Sequence, residues 1–441
     1  MGFVIGLILL DETVVSVALP SISRDLGMSQ LAAHWAVNVY LLVFAALAAA
    51  GGKLADMFGH RQMFLAGIVL FSGASVACGF APSGGVLIAA RALQGIGAAI
   101  VFPLSMAMIT LVFPPEQRGA ALGVYGAIGT TFLALGPLVG GLFTELLSWR
   151  WIFWINLPLV FAIALVVLRD WSNPASHSKA PRLDTIGLLL LVAGLGLFVF
   201  ALMQGQDWGW SNPWIAGPFV AGLLLLVVFV TAELRVSAPL IEVDLFRDAA
   251  FCIYSLAIFA AQFTKIAVII FGAHFLQDRL QMSPLTAGLA LMVSMVMSPL
   301  LAGPSGSLAD RFGARPLVRA ALVLSTLGLL WTAYAVRVES YPLMVPGLLV
   351  WNLGMMFLFA PPRSALAKAV PEEKQGLVGG IAMSAQLLGG TLGMAVASTV
   401  FSVTGSYSAV LVCNAVLTTV LFALSIAFIP GPVRRRPAIG R

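Results

Sequence analysis

Runs of about twenty apolar residues, separated by short breaks rich in charge, proline and glycine, recur along the whole chain. They lie near 3–22, 33–55, 62–81, 86–112, 119–146 and 151–168, then 185–204 and 214–234, then 251–277, 285–308, 317–336, 342–362, 376–403 and 408–429. Lipid cannot satisfy an unpaired peptide group, so a run this long is resolved by a helix across the bilayer. Of 441 residues 10% are charged, and the mean hydropathy is +1.01, whereas about a quarter of a soluble domain is charged. The sequence therefore reads as an all-α membrane protein of fourteen transmembrane helices, with its function inside the bilayer and little chain left for a soluble domain.

The layout is six, two and six. A first six-helix bundle covers 1–168, and a polar linker with two extra central helices covers 169–236. A second bundle covers 237–432, followed by a basic tail over 433–441. Lys and Arg are retained on the cytoplasmic side. With both termini inside, 18 of the 24 fall on that side, against Arg24, Arg150, Arg279 and Arg337 outside, with Arg91 and Lys265 within spans. The first run has neither a basic segment before it nor a small-residue cleavage site after it, and reads as a retained span. It starts only ten residues before Asp11, so the expectation is either a natural leader ahead of it or anchoring by packing alone.

The two halves repeat. GGKLADMFGHRQMF at 51–64 aligns with SGSLADRFGARPLV at 305–318, sharing Gly, Leu, Ala, Asp, Phe, Gly and Arg, and PPEQRG at 114–119 aligns more weakly with PEEKQG at 371–376. Each loop follows the second helix of its half. Two parallel repeats around a midplane site are a transporter architecture.

Composition also excludes classes. The net charge of +6 is spread singly between apolar runs, with no basic platform for nucleic acid, and reads as topology. Cys78, Cys252, Cys413 and the four histidines lie far apart, without metal or disulfide spacing. GGKL at 51–54 lacks the distant Gly and the Ser/Thr of a phosphate loop, so no nucleotide is expected as fuel. No nucleophile and base occur at helical spacing, so the chain is not expected to be an enzyme, and no metal or cofactor is called for.

Five motifs in order carry a family resemblance. They are the loop with Gly52, Asp56, Gly59 and Arg61; LDETVVSVALP at 10–20; RALQGIGAA at 91–99; LGPLVGG at 135–141; and WRWIFWINLP at 149–158. Together they resemble the major facilitator superfamily, and within it the fourteen-span drug:proton antiporter branch. Met57 stands where the loop often has a basic residue, supplied in the second copy by Arg311, and Ser16 where the first-helix motif often has Asn.

The resemblance implies proton coupling at Asp11 and Arg91, and Glu12, the neighbouring deep acid, is a further candidate for it. Asp11 and Glu12 are the acids deep in the first-half spans. A charge at that depth needs a partner or a water-filled cavity, and burial disfavours a carboxyl's charged form. Adjacent helical positions point about 100° apart, so the two acids cannot face one wall equally. Arg cannot give up its proton, so Arg91 would act by pairing with a carboxylate. The alternatives are an ion pair that only locks helix one and an arginine that snorkels outward.

Gly136, Pro137, Gly140 and Gly141 give a bendable, closely packed helix five. In the resembled branch this motif marks exporters. The paired loops, with Gly52, Asp56, Gly59, Arg61, Asp310, Arg311 and Arg315, would latch a cytoplasmic gate. Substrate-cavity candidates are Gln94, Gln262, Lys265, Met292, Asn352 and Phe357, where Lys265 would meet an anionic group of the substrate or neutralise Asp11 or Glu12, and methionine would give a pliable wall.

The expectation is an antiporter of the inner (plasma) membrane that exports small hydrophobic or amphipathic compounds by alternating access, driven by protons. Its partners are the small-molecule substrate, protons and the bilayer, with an accessory export protein left open. A facilitator or importer of one metabolite on the same fold, or a non-transporting membrane sensor, are the rivals.

Overall fold

The computed structural model describes residues 1–171, 184–236, 239–370 and 375–429. The basic tail 433–441 and Lys179, Arg182 and Lys374, used in the charge count, lie outside the described residues. Among these, 14 helices are long and apolar enough to cross a membrane, in agreement with the hydropathy reading.

The first bundle holds α1 (Gly2–Asp25), α2 (Gln30–Phe58), α3 (His60–Gly79), α4 (Gly84–Val112) and α5 (Pro115–Leu146), with α6 (Trp151–Trp154) and α7 (Asn156–Asp170) as its sixth span. Two further spans follow, α8 (Thr185–Trp208) and α9 (Pro213–Glu233). The second bundle starts with α10 (Ala249–Asp278), α11 (Pro284–Met292), α12 (Met297–Phe312) and α13 (Ala314–Arg337). It ends with α14 (Tyr341–Met356), α15 (Ala360–Lys368), α16 (Gln375–Thr404) and α17 (Tyr407–Phe428).

Three spans that read as single runs are interrupted, each beside a proline that cannot donate its i→i−4 bond. The bond from position 158 to Trp154 is missing between α6 and α7, that from Pro299 to Met295 between α11 and α12, and those from Pro361 and Pro362 between α14 and α15. The breaks are bridged by tighter i→i−3 bonds such as Ser298 N to Met295 O (3.0 Å) and Leu358 N to Met355 O (3.0 Å). Apolar runs do not report such breaks, because the residues on either side stay apolar.

The sequence repeat is a structural repeat. Gly59 closes α2 at φ 92°, donating to Ala55 O at 2.8 Å, and Gly313 closes α12 at φ 80°, donating to Ala309 O at 2.9 Å. Both sit in the left-handed region that glycine alone adopts without strain, which is why each loop keeps a glycine there. The end of the molecule carrying these two loops is called the loop end below, and the other the far end.

Small residues set the helix spacing. A Cβ at Gly136 would strike Thr13, one at Gly140 the Val14 carbonyl, and one at Gly141 the Pro284 carbonyl. From the other bundle, a Cβ at Gly288 would strike the Pro137 carbonyl. Helix α5 is thus pressed against α1 on one side and against α11 of the other bundle. Thr13 Oγ1 donates to Leu133 O at 3.1 Å across the first of these contacts.

Cross-bundle contacts gather at the midplane and the far end. Gln277 Nε2 donates to Val17 O (2.9 Å), Leu285 N donates to Glu145 (2.8 Å), and His34 bonds Ser398 (2.7 Å). Toward the loop end, a Cβ at Gly123 or Gly126 on α5, Gly303 or Gly306 on α12, or Gly379 or Gly380 on α16 meets nothing within 4 Å. The bundles are closed together at the far end and part toward the loop end. The central pair sits outside them: α8 packs across α2 and α16, taking Asn38 Nδ2 on Met203 Sδ (2.8 Å) and Thr399 Oγ1 on Leu202 O (2.7 Å), while α9 lies beyond it with Trp214 three-quarters exposed.

Gly140→Ala is expected to destabilise the protein by about 1–3 kcal/mol, the usual range for overpacking a tight contact, whereas Gly126→Ala, whose Cβ meets open space, leaves stability unchanged or slightly raised. Thermal unfolding in detergent distinguishes the two.

Candidate functional site

Asp11 and Glu12 point to different bundles. Asp11 turns into its own, where its Oδ2 meets Arg91 Nη1 of α4 at 2.5 Å and its Oδ1 accepts from Gln94 Nε2 at 3.0 Å. Arg91 is held at several further points: Nε donates to Ala36 O (3.1 Å), Nη1 also to Gln94 Oε1 (2.8 Å), and the guanidinium lies over the Tyr40 ring at 4.2 Å. The one-turn spacing of Arg91 and Gln94 lets both reach the same carboxylate. Asp11, Arg91 and Gln94 are each at most 1% exposed.

The network runs on to α3 and to the sixth span. Gln94 Nε2 reaches Ser75 Oγ (3.5 Å), which donates to Phe153 O (2.8 Å) and accepts from Asn156 Nδ2 (2.9 Å). The motif at 149–158 therefore serves the same cage. At its other end, Trp149 Nε1 (2.9 Å) and Arg150 Nη1 (2.8 Å) both donate to Asp25, pinning the end of α1.

Glu12 turns across the bundle boundary. Lys265 Nζ of α10 stands 2.7 Å from its Oε1, and Gln262 Nε2 donates to the same oxygen at 2.6 Å. Of the roles open to Lys265, neutralising an acid of helix one is the one seen here, and the acid is Glu12. Glu12 is 7% exposed and Lys265 1%. From Gln262 the chain of polar contacts continues to Gln386 of α16 (3.4 Å) and then to the exposed Arg363 of α15, which hydrogen-bonds Gln386 Oε1.

The other cavity candidates sit apart from this centre. Asn352 is buried, with Nδ2 on Ser298 Oγ at 3.3 Å and Oδ1 unpartnered among the described residues. It ties α14 to the first turn of α12. Met292 and Phe357 are half-buried at the two breaks in α11/α12 and α14/α15. Gln94 has its amide committed to the Asp11 and Arg91 cage.

At the loop end, the acids of the paired motifs pair within their own bundles, while Lys53 Nζ donates to Pro239 O at 3.0 Å. Asp56 lies 3.6 Å from His60, and Asp310 2.8 Å from Lys368. Arg61 donates to the Leu168 carbonyl at the end of α7, and Arg319 performs the same service for α17 through Ser425 O (2.5 Å) and Ile429 O (3.2 Å). Both place a cation on the negative end of a helix. Arg311 lies 5.2 Å from the Phe312 ring centroid, and Arg315 has its Nε unpartnered among the described residues. Gly52 meets no neighbour that a Cβ would strike, so in this arrangement nothing packs against it.

Sequence reasoning missed Tyr40, Ser75, Asn156, Gln386 and Arg363; of these only Arg363 is charged and only Asn156 lies in a quoted motif. A tyrosine or serine in an apolar helix carries no sequence mark of the charge it covers.

A model of the Major Facilitator Superfamily matches residues 1–242 and 250–440. The chain belongs to that superfamily. It is 36% identical over 410 residues to the puromycin resistance protein pur8 of Streptomyces alboniger, covering 89% of this chain and 79% of that one. The multidrug resistance protein Stp of Mycobacterium tuberculosis is 32% identical over 406 residues (91% and 74%), and the cephamycin export protein CmcT of Amycolatopsis lactamdurans 34% over 406 residues (91% and 83%). The human organic anion transporter MFSD10 (TETRAN) shares the fold at a TM-score of 0.64 and 18% identity, over 96% of this chain and 97% of its own. By family and fold this is a multi-pass membrane transporter and not an enzyme.

Asp11→Asn strands the buried Arg91 and is expected to lower stability by about 3–5 kcal/mol, the usual effect of removing one member of a buried pair. Glu12→Gln is expected to lower it less, since Lys265 regains water if the bundles part. Melting temperatures of the two variants, measured side by side, test the difference.

Proposed function

We propose that this transporter exports small hydrophobic or amphipathic compounds in exchange for protons, by alternating access. The observation that carries the reading is the division of labour between adjacent acids. Asp11 is locked into one bundle with Arg91 and Gln94, while Glu12 holds the two bundles together through Lys265 and Gln262. Protonating Glu12 removes the negative member of a cross-bundle pair, so it loosens the boundary on which rocking depends. Asp11 and Arg91 then serve as the rigid mount that holds Glu12 toward the boundary.

The export direction and the chemistry of the cargo rest on the relatives, whose names record puromycin resistance, multidrug resistance and cephamycin export. The excess of Lys and Arg at the loop end supports a cytoplasmic position for that end, and for both termini, in a plasma membrane. The described arrangement is then open inward and closed outward. Cargo approaches from the cytoplasm between α5, α12 and α16, where the Glu12 and Lys265 pair and the exposed Arg363 offer polar anchors. The paired loops act as the inner gate: Asp56, Arg61, Asp310, Arg311 and Arg315 lie on both sides of the cleft and can meet when it closes. Protons are the fuel, and no cofactor is invoked.

The test uses purified protein in preacidified vesicles with a lipophilic cationic dye outside. Dye addition is expected to trigger proton release from the wild type. Glu12→Gln is expected to abolish dye-driven proton release by at least tenfold while leaving dye exchange measurable. Dye exchange by the wild type that ignores the pH gradient would instead identify a facilitator.

A further inference from the structure

One cluster of titratable groups outside the midplane joins the two bundles. His34 comes from α2 and His274 from α10; their rings stack with centroids 5.7 Å apart and planes 23° apart. Phe271 lies 5.2 Å from His34 and packs in turn on Phe401 of α16 at 5.5 Å. His34 Nδ1 bonds Ser398 Oγ of α16 at 2.7 Å. Both histidines are buried, at 1% and 5% exposure, and Nε2 of each is buried without a hydrogen-bond partner among the described residues. This is the far-end closure itself, since the same α2 and α16 carry the cross-bundle contact and α8 lies across them.

We propose that His34 and His274 form a proton-binding site of the far-end gate, separate from the midplane carboxylates, and that filling it opens this gate. The inference rests on the alternating-access part of the functional reading, and it adds a place where a proton from the far side acts.

A neutral imidazole offers one donor and one acceptor nitrogen. In this aromatic interface Nε2 of each ring is buried without a partner among the described residues, so the closed gate holds two unfilled polar atoms. Protonating both rings would set two cations within about 6 Å in a medium that screens them poorly. The charged and titratable neighbours cannot absorb that. On α10, Asp278 stands one turn beyond His274, takes the Tyr407 hydroxyl of α17 at 3.0 Å, and is followed by Arg279. On α2 the next polar side chain is Asn38, committed to Met203 of α8. On α16 there are Ser398 and Thr399, and from α1 the Val17 carbonyl is occupied by Gln277. Asp278 can offset one added charge but not two.

Opening the gate returns both rings to water, where imidazole titrates near pH 6.5. The open state therefore binds protons that the closed state excludes. Closure is fully favoured above that pH and is lost as the far-side pH falls through it. An acid far side then draws the transporter toward the far-side-open state before any proton reaches Glu12.

The test is a distance measurement across the gate. Spin labels at Gln30→Cys and Thr404→Cys, both exposed far-end positions on α2 and α16, are placed in protein carrying Cys252→Ser and Cys413→Ser, with buried Cys78 retained. Without substrate or gradient, in lipid nanodiscs, the separation is expected to lengthen between about pH 8 and about pH 5.5, the range over which imidazole changes charge. His34→Gln with His274→Gln should flatten this response at least several-fold. His274→Phe, which keeps an aromatic ring in the stack, should do so with the gate still packed, which separates lost protonation from lost folding. Glu12→Gln should keep the shift. A pH response unchanged in the histidine variants, or one that disappears in Glu12→Gln instead, overturns the proposal. Because no cargo is present, a failed dye assay leaves this result standing.

Discussion

Everything polar at the centre follows from one constraint: a carboxylate at mid-membrane depth must find a cation, and two adjacent carboxylates on a helix cannot find the same one. The turn of about 100° between Asp11 and Glu12 sends one into the first bundle and the other across to the second. Arg91 answers the first with a fixed, multiply bonded guanidinium, and Lys265 answers the second with a single flexible ammonium. The difference in cation matters. A guanidinium held by a backbone carbonyl, an amide and an aromatic face is a mount, whereas an ammonium on a long stem at a bundle boundary can let go and be rehydrated.

That mount works only because α1 is held still. Gly136 and Gly140 let α5 lie directly on α1, Thr13 bridges to Leu133, and Asp25 is pinned by Trp149 and Arg150 at the far end of the same helix. The motif that marks exporters by resemblance thus has a plain physical use here. It brings α5 close enough to touch α1 with one face and α11 of the other bundle with Gly141 and Pro137, so the helix forms part of the surface between the bundles. The closure at the far end, through His34, Ser398 and Gln277, completes that surface.

Much of this was legible in the sequence, and what was not has physical reasons. Span number and the two-bundle layout follow from apolar run length, and the loop repeat is matched by Gly59 and Gly313 in the same positive-φ turn. The divergent aim of Asp11 and Glu12 was readable from helical geometry, and Lys265 was readable as a cation for the substrate or for one of the two acids; that it pairs with Glu12 was not, because nothing in the sequence sets how α10 is turned against α1. The breaks in α11/α12 and α14/α15 were hidden because prolines are tolerated in apolar runs. The histidine pair was invisible for the same reason that it is interesting: His34 and His274 are isolated in sequence and meet only when the bundles close.

Infrared difference spectroscopy on wild-type protein, recorded on adding the dye at constant pH, reports directly which carboxyl group changes protonation with cargo. The account predicts that a protonated-carboxyl band responds to the dye, that Asp11→Asn retains it and that Glu12→Gln abolishes it. A band lost in Asp11→Asn and kept in Glu12→Gln would contradict the division of labour between the two acids.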